Sequence, residues 1–186
     1  MQRVTIAEIY HKTSDFNEKT ITVAGWVRTA RTFSAVGFIE LNDGSCFGSL
    51  QVVLEKDSLA DFDRVAACHV GAALCVTGVL KCTPQARQPF ELQAVSVSVE
   101  GASTPDYPLQ KKRHSVEFLR SVGHLRARTN LFGAAFRIRS EAAFAIHSFF
   151  HDRGFYYVHT PIITVSDCEG AGEMFRVTTL DPTSEN

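Results

Sequence analysis

The sequence has no uninterrupted apolar stretch approaching the roughly 18 residues that would suggest a bilayer-spanning helix, so no membrane partner is expected. It has no C-x-x-C pair. Its five cysteines, Cys46, Cys68, Cys75, Cys82 and Cys168, are odd in number and widely spaced, which argues against a disulfide framework or a zinc site. They read as reduced, mostly buried thiols. Also missing are the phosphate-binding G-x-x-x-x-G-K-[ST] loop, the dinucleotide fingerprint G-x-G-x-x-G, a G-x-S-x-G elbow and a readable Ser/His/Asp arrangement. There is no excess of one charge: 19 Lys and Arg stand against 20 Asp and Glu, so the whole chain is no polycation. The opening MQRVTIAEIYHK mixes polar and acidic residues into its apolar stretch, unlike a cleaved signal peptide, and a cytoplasmic location is the default expectation.

What is present is a soluble-type composition, 45% apolar and 21% charged over 186 residues, enough for one domain and part of another. Charge is unevenly spread. From Lys111 to Arg139 stand Lys111, Lys112, Arg113, Arg120, Arg126, Arg128, Arg137 and Arg139 against the single acid Glu117, a segment suited to an anionic partner such as nucleic acid.

The first hundred residues read as β structure, because β-branched and aromatic residues recur between turn signals. Strands are expected at about 20–33, 36–42, 46–56, 72–82 and 90–100, with Asp43-Gly44-Ser45 as a hairpin turn. Between the third and fourth, Asp57 is the expected cap of a helix carrying Leu59, Phe62, Val65 and Ala66, and Gly71 its stop. Five strands with a helix in that place is the order of an OB-fold barrel, a scaffold for oligonucleotides. Gly101 to Arg113, with Pro105 and Pro108, reads as a linker. A helix follows over about 130–152, capped by Thr129 or Asn130 and ended by Gly154. Its apolar stripe is wider than one packing partner needs, which suggests a large core or a subunit interface. A strand is expected from Phe155 to Thr160, ending at Pro161. The division is thus 1–102 for the barrel, 103–125 for the linker and 126–186 for the start of a second domain, an α+β architecture.

Alternation along the second strand puts Ile39 and Leu41 inside, and therefore Phe38 and Glu40 outside. The same count on the third puts Leu50, Val52 and Leu54 inside and Gln51 outside. Phe38 can then stack on a base while Gln51 hydrogen-bonds a base edge, and Arg28 and Arg31 can supply charge to phosphates or bases. Trp26 is expected in the core. Near the chain's end, Glu169, followed by Gly170 and Gly172, could meet a ligand ammonium group, since a desolvated carboxylate needs a partner. His147 and His151, four apart on a helix, could share a metal, but no third ligand is near and no metal site is assigned.

Four stretches carry a resemblance: GWVRTAR at Gly25 to Arg31, GFIELNDGSCF at Gly37 to Phe47, HSVEFLRSVGHLRARTN at His114 to Asn130, and TPIITVSDCEGAGEMF from Thr160. With them the chain resembles the N-terminal portion of the bacterial asparaginyl branch of the class II aminoacyl-tRNA synthetases. It departs modestly, with Ala127 where proline is usual, and Val165 and Cys168 where smaller residues are usual.

The resemblance implies that the barrel binds the anticodon of tRNA(Asn), with Phe38 as base platform, Gln51 as base reader and Arg31 as a further contact. It also implies that the long helix and the segment ending at Pro161 form the homodimer edge, including Phe149 and Phe150. Glu169, with Ser166, Gly170 and Gly172, would close over the amino acid asparagine. Activation would use ATP with Mg2+ through arginines in motifs not found here, so the 186 residues alone are expected to be inactive. Two other readings stay open: a stand-alone OB-fold RNA-binding module, and an aspartate-charging or nondiscriminating relative.

Overall fold

The computed structural model describes residues 2–86, 88–164, 175 and 177–179. The chain divides into two packing units, Met1–Ile138 and Arg139–Asn186. In the first, strands β1 (Thr20–Thr32), β2 (Val36–Asn42), β3 (Leu50–Glu55), β4 (Ala73–Cys82) and β5 (Phe90–Gly101) close into a barrel in the order β1-β2-β3-β5-β4. The β3–β5 pair is parallel and the others are antiparallel. Closure leaves no free sheet edge, and the inward residues of every strand meet in one apolar core. That core includes Val23, Ile39, Leu41, Leu50, Val52, Leu54, Val76, Leu80 and Leu92. At Gly78, where the β4–β5 register shifts, an added Cβ would lie 2.2 Å from the carbonyl oxygen of Gln93, so only glycine lets the strands approach this closely.

An N-terminal helix, α1 (Ile6–His11), packs on the barrel with Ile6 and Ile9 fully buried. It is held at its start by a reciprocal cap in which the Thr5 hydroxyl accepts from the Glu8 amide and the Glu8 carboxylate accepts from the Thr5 amide. The next two amides reach across the sequence: Ile6 donates to Asp43 Oδ2 at 2.8 Å and Ala7 to Ser45 Oγ at 2.9 Å. A short helix α2 (Thr13–Phe16) leads into β1.

Bonds from the Thr5 hydroxyl and amide hold the Glu8 carboxyl below its ordinary range. A folded-state value below the unfolded one stabilises at pH above the unfolded value and is lost as pH falls through the folded one. Glu8→Gln should therefore lower the melting temperature at neutral pH, with the difference from the parent shrinking in acid. A difference independent of pH would exclude the ionised cap.

Two expected boundaries and the burial of the cysteines differ. β3 begins at Leu50 rather than Cys46, so residues 43–49 form a longer loop instead of a tight hairpin. The polar groups there are satisfied locally, with Asn42 Nδ2 donating to the carbonyls of Cys46 and Gly48. The helix after β3 is short, α3 (Phe62–Ala66), and Asp57 does not cap it: the amides of Ser58 and Leu59 turn back to the Glu55 carbonyl, and Asp61 holds the cap position. Leu59, Phe62 and Val65 are nevertheless buried. The four described cysteines are free, but Cys46, Cys68 and Cys75 are only half-buried and Cys82 is exposed, because all four lie off the barrel's inner face. Burial still pushes the Cys68 thiol up.

The segment read as a linker packs within the first unit. Ser103 Oγ donates to the Val70 carbonyl at 2.7 Å, and Tyr107 lies against Gly71, whose positive φ of 89° and lack of a side chain make room for the ring. Helix α4 (Val116–Ser121) buries Leu119, and a 3-10 turn at Arg126–Arg128 leads into α5 (Asn130–His151). Thr129, extended at φ −85° and ψ 150°, caps α5 through its hydroxyl to the Phe132 amide.

In the second unit α5 runs to His151, and Gly154 turns the chain at φ 83°. The strand expected at Phe155 to Thr160 is absent: among the described residues that segment pairs with no strand, and an extended segment without a ladder partner is not a strand. No residue of α5 is buried. Among the described residues no helix is long and apolar enough to cross a membrane.

Candidate functional site

The outer barrel wall is organised as two rows running across the strands. In one, Arg31 on β1 pairs with Phe38 on β2, Phe38 with Val53 on β3, and Val53 with Gln93 on β5. In the neighbouring row Thr29 pairs with Glu40, Glu40 with Gln51, and Gln51 with Glu91. Ile39 and Leu41 are buried on the opposite face while Phe38 and Glu40 are half-exposed, so Phe38 and Gln51 lie diagonally on one surface, with Arg31 beside Phe38.

The Gln51 amide nitrogen donates to Glu91 Oε2 at 3.3 Å, which turns its carbonyl oxygen toward other donors. Phe33, 63% exposed at the end of the β1–β2 hairpin, meets Phe38 edge-on with ring centroids 6.3 Å apart. Sequence reasoning passed over Phe33; its signal is an aromatic next to a turn whose partner lies across the hairpin. The pair forms an aromatic step with cationic Arg31 at its side, a surface that can hold an unstacked base and a phosphate.

Arg28 is placed elsewhere. The β1–β2 register shifts between Val27 and Thr29, and this bulge aims the Arg28 guanidinium at the start of α5, where it donates to the Arg128 carbonyl at 2.8 Å and Asn130 Oδ1 at 3.1 Å. Trp26 is not in the core either. It is 39% exposed, with the Arg128 guanidinium 4.5 Å from its ring centroid. The inward positions on this part of β1 are Val23 and Val27, so Trp26, one residue off, must face out.

In the second unit, Phe149 and Phe150 are half-exposed and stack edge-on at 5.4 Å, Phe150 meets Phe155 at 5.4 Å, and Arg153 lies 3.6 Å above the Phe149 ring. Pro161 is exposed. His147 makes an edge contact with Tyr157 at 4.6 Å, and among the described residues no group of three His, Cys, Asp or Glu side chains could hold a metal ion. Ser166, Glu169, Gly170 and Gly172 lie outside the described residues.

Residues 21–100 match a family profile described as an OB-fold nucleic acid binding domain, and residues 115–183 match one described as tRNA synthetases class II (D, K and N). The asparagine–tRNA ligase of Acetivibrio thermocellus is 59% identical over 97% of this chain, and that of Clostridium tetani is 58% identical over 97%. The chain is thus similar to an OB-fold nucleic acid binding domain followed by part of a class II tRNA synthetase. It spans 39% of the length of those two curated relatives. Among solved structures, the asparaginyl-tRNA synthetase of Pyrococcus horikoshii superposes with a TM-score of 0.77 at 22% identity, over 88% of this chain and 38% of that one. The aspartyl-tRNA synthetase of Entamoeba histolytica does so with a TM-score of 0.74 at 19% identity, over 87% and 39%. At such identities these two likenesses concern the fold alone.

Proposed function

We propose that this chain is the tRNA-recognising part of an asparagine–tRNA ligase, the enzyme that activates asparagine with ATP and transfers it to tRNA(Asn). The observation that carries the reading is the outer barrel face, where Phe38, Gln51 and Arg31 converge on a scaffold matching nucleic-acid-binding OB-folds. Phe38 supplies the stacking surface, the Gln51 carbonyl accepts from a base edge, and Arg31 neutralises phosphate. Identity of 59% to an asparagine–tRNA ligase favours asparagine over aspartate as the amino acid.

On this reading the apolar surface around Phe149, Phe150 and Pro161 belongs to a homodimer edge, and Ser166, Glu169, Gly170 and Gly172 to the amino-acid pocket. Among the described residues no group of three His, Cys, Asp or Glu side chains could hold Mg2+, and no step of the reaction is assigned to them. The tests are two. Full-length protein should charge tRNA(Asn) with asparagine in preference to aspartate. These 186 residues alone should support no asparagine-dependent ATP–pyrophosphate exchange, and exchange above background would refute that part.

A further inference from the structure

The tip of the β1–β2 hairpin carries a second ring beside Phe38. Phe33, just past the end of β1, is 63% exposed and is not part of the barrel core. A lone exposed apolar side chain is ordinary. This one projects from a main chain that is held on both sides. The Phe33 amide donates to the Val36 carbonyl at 2.8 Å, the Lys56 amide to the Ala35 carbonyl at 3.0 Å, and the Thr32 hydroxyl to the Ala66 carbonyl at 3.2 Å. The tip is thereby tied to the end of β3 and to α3, so less entropy is lost when a partner settles on the ring.

Ring geometry limits what that partner can be. The Phe33 and Phe38 planes meet at 79° with centroids 6.3 Å apart, an edge-on pair. Two flat bases lying on nearly perpendicular rings cannot stack on each other. The pair therefore suits neighbouring nucleotides whose bases are splayed apart, as in a loop, and not the stacked bases of a duplex. Arg31 is the register partner of Phe38 and precedes Phe33 by two residues, which leaves a cation at the same end of the face for the phosphate that joins two such nucleotides.

We propose that Phe33 is a second base platform, stacking the loop nucleotide adjacent to the one held by Phe38 and keeping the two bases apart. The proposal rests on the anticodon reading above and adds to it a residue that selects for loop conformation. Stacking on a ring tolerates any base, so Phe33 favours a splayed loop rather than a particular sequence.

The experiment measures the affinity of this chain, at fixed salt, for a synthetic hairpin with an asparagine anticodon loop and for a set of hairpins in which one loop nucleotide at a time is abasic. Phe33→Ala removes an exposed ring and should melt like the parent. It should bind the intact hairpin about fivefold more weakly, the low end of what one base on an aromatic ring is worth, because this ring is so open to water. That loss should vanish on one abasic hairpin, the one lacking the base next to the nucleotide at which Phe38→Ala loses its effect. Phe33→Trp offers a larger face and should bind the intact hairpin at least as tightly as the parent. The proposal is overturned if Phe33→Ala binds every hairpin like the parent, if no abasic position abolishes its loss, or if the loss is abolished only at the nucleotide held by Phe38, which would make Phe33 a mere buttress for that ring. If Phe38→Ala weakens no hairpin while Phe33→Ala still loses its effect at one abasic position, the Phe38 reading fails and the Phe33 platform stands.

Discussion

Phe90→Ala should lower folding stability by about 3–5 kcal/mol, the range for deleting a buried aromatic ring. Phe90 opens β5 opposite Cys82 of β4 and is only 2% exposed. Its ring meets Tyr10 of α1 edge-on, with centroids 4.7 Å apart, so truncation removes an aromatic pair as well as buried area. The surrounding wall is a hydrogen-bonded closed barrel, which cannot collapse far into the space left behind. Since a domain of this size has a total stability on the order of 5–15 kcal/mol, the variant is left marginal. Tyr10→Phe is the contrasting case. It keeps the ring pair and removes only the hydrogen bond from the Tyr10 hydroxyl to the Ser49 carbonyl, an expected loss of about 1 kcal/mol. Urea unfolding followed by circular dichroism checks both. A loss below about 1 kcal/mol for Phe90→Ala would mean that α1 is not anchored through this ring.

Phe38→Ala should weaken binding of the anticodon hairpin by about 1–3 kcal/mol, the value of one base stacked on an aromatic side chain. The effect should be confined to binding. Phe38 faces away from the core that Ile39 and Leu41 enter, so its removal leaves the barrel's interior packing intact and the melting temperature nearly unchanged. Removing the ring also strips Phe33 of its edge partner, and Phe33→Ala should accordingly produce a smaller effect in the same direction. Calorimetric or fluorescence titration at fixed salt measures both. An affinity for the hairpin unchanged by Phe38→Ala would leave the outer face without its base platform.

The strands were legible because a half-buried barrel strand imposes a period of two. Ile39 and Leu41 inward and Phe38 and Glu40 outward follow from alternation alone, as does Gln51 between buried Leu50 and Val52. The same period, counted from Val23 and Val27, exposes Trp26, although its size alone suggests burial. Arg28 escaped such counting because a bulge shifts register within a strand, and nothing local to GWVRTAR announces one. Helix α1 carries a local signal in Thr5 and Glu8 three residues apart, but at 6 residues it is too short for a helical period to register. The segment from Phe155 to Thr160 shows the opposite failure. Its residues favour a strand, yet strand formation requires a partner that sequence pattern does not supply.

Local chemistry therefore settles which residues point inward, that Thr129 caps α5 and Gly154 turns the chain after it, and that one basic segment follows a barrel, because these depend on periods and caps spanning a few residues. Three-dimensional packing alone settles that the Arg28 guanidinium faces Asn130, 102 residues away, that Arg128 covers Trp26, and that the linker's cations gather beside the outer face. Each of those is a meeting of distant segments. Such meetings are fixed by barrel closure and the bulge in β1, and no short stretch of sequence encodes them.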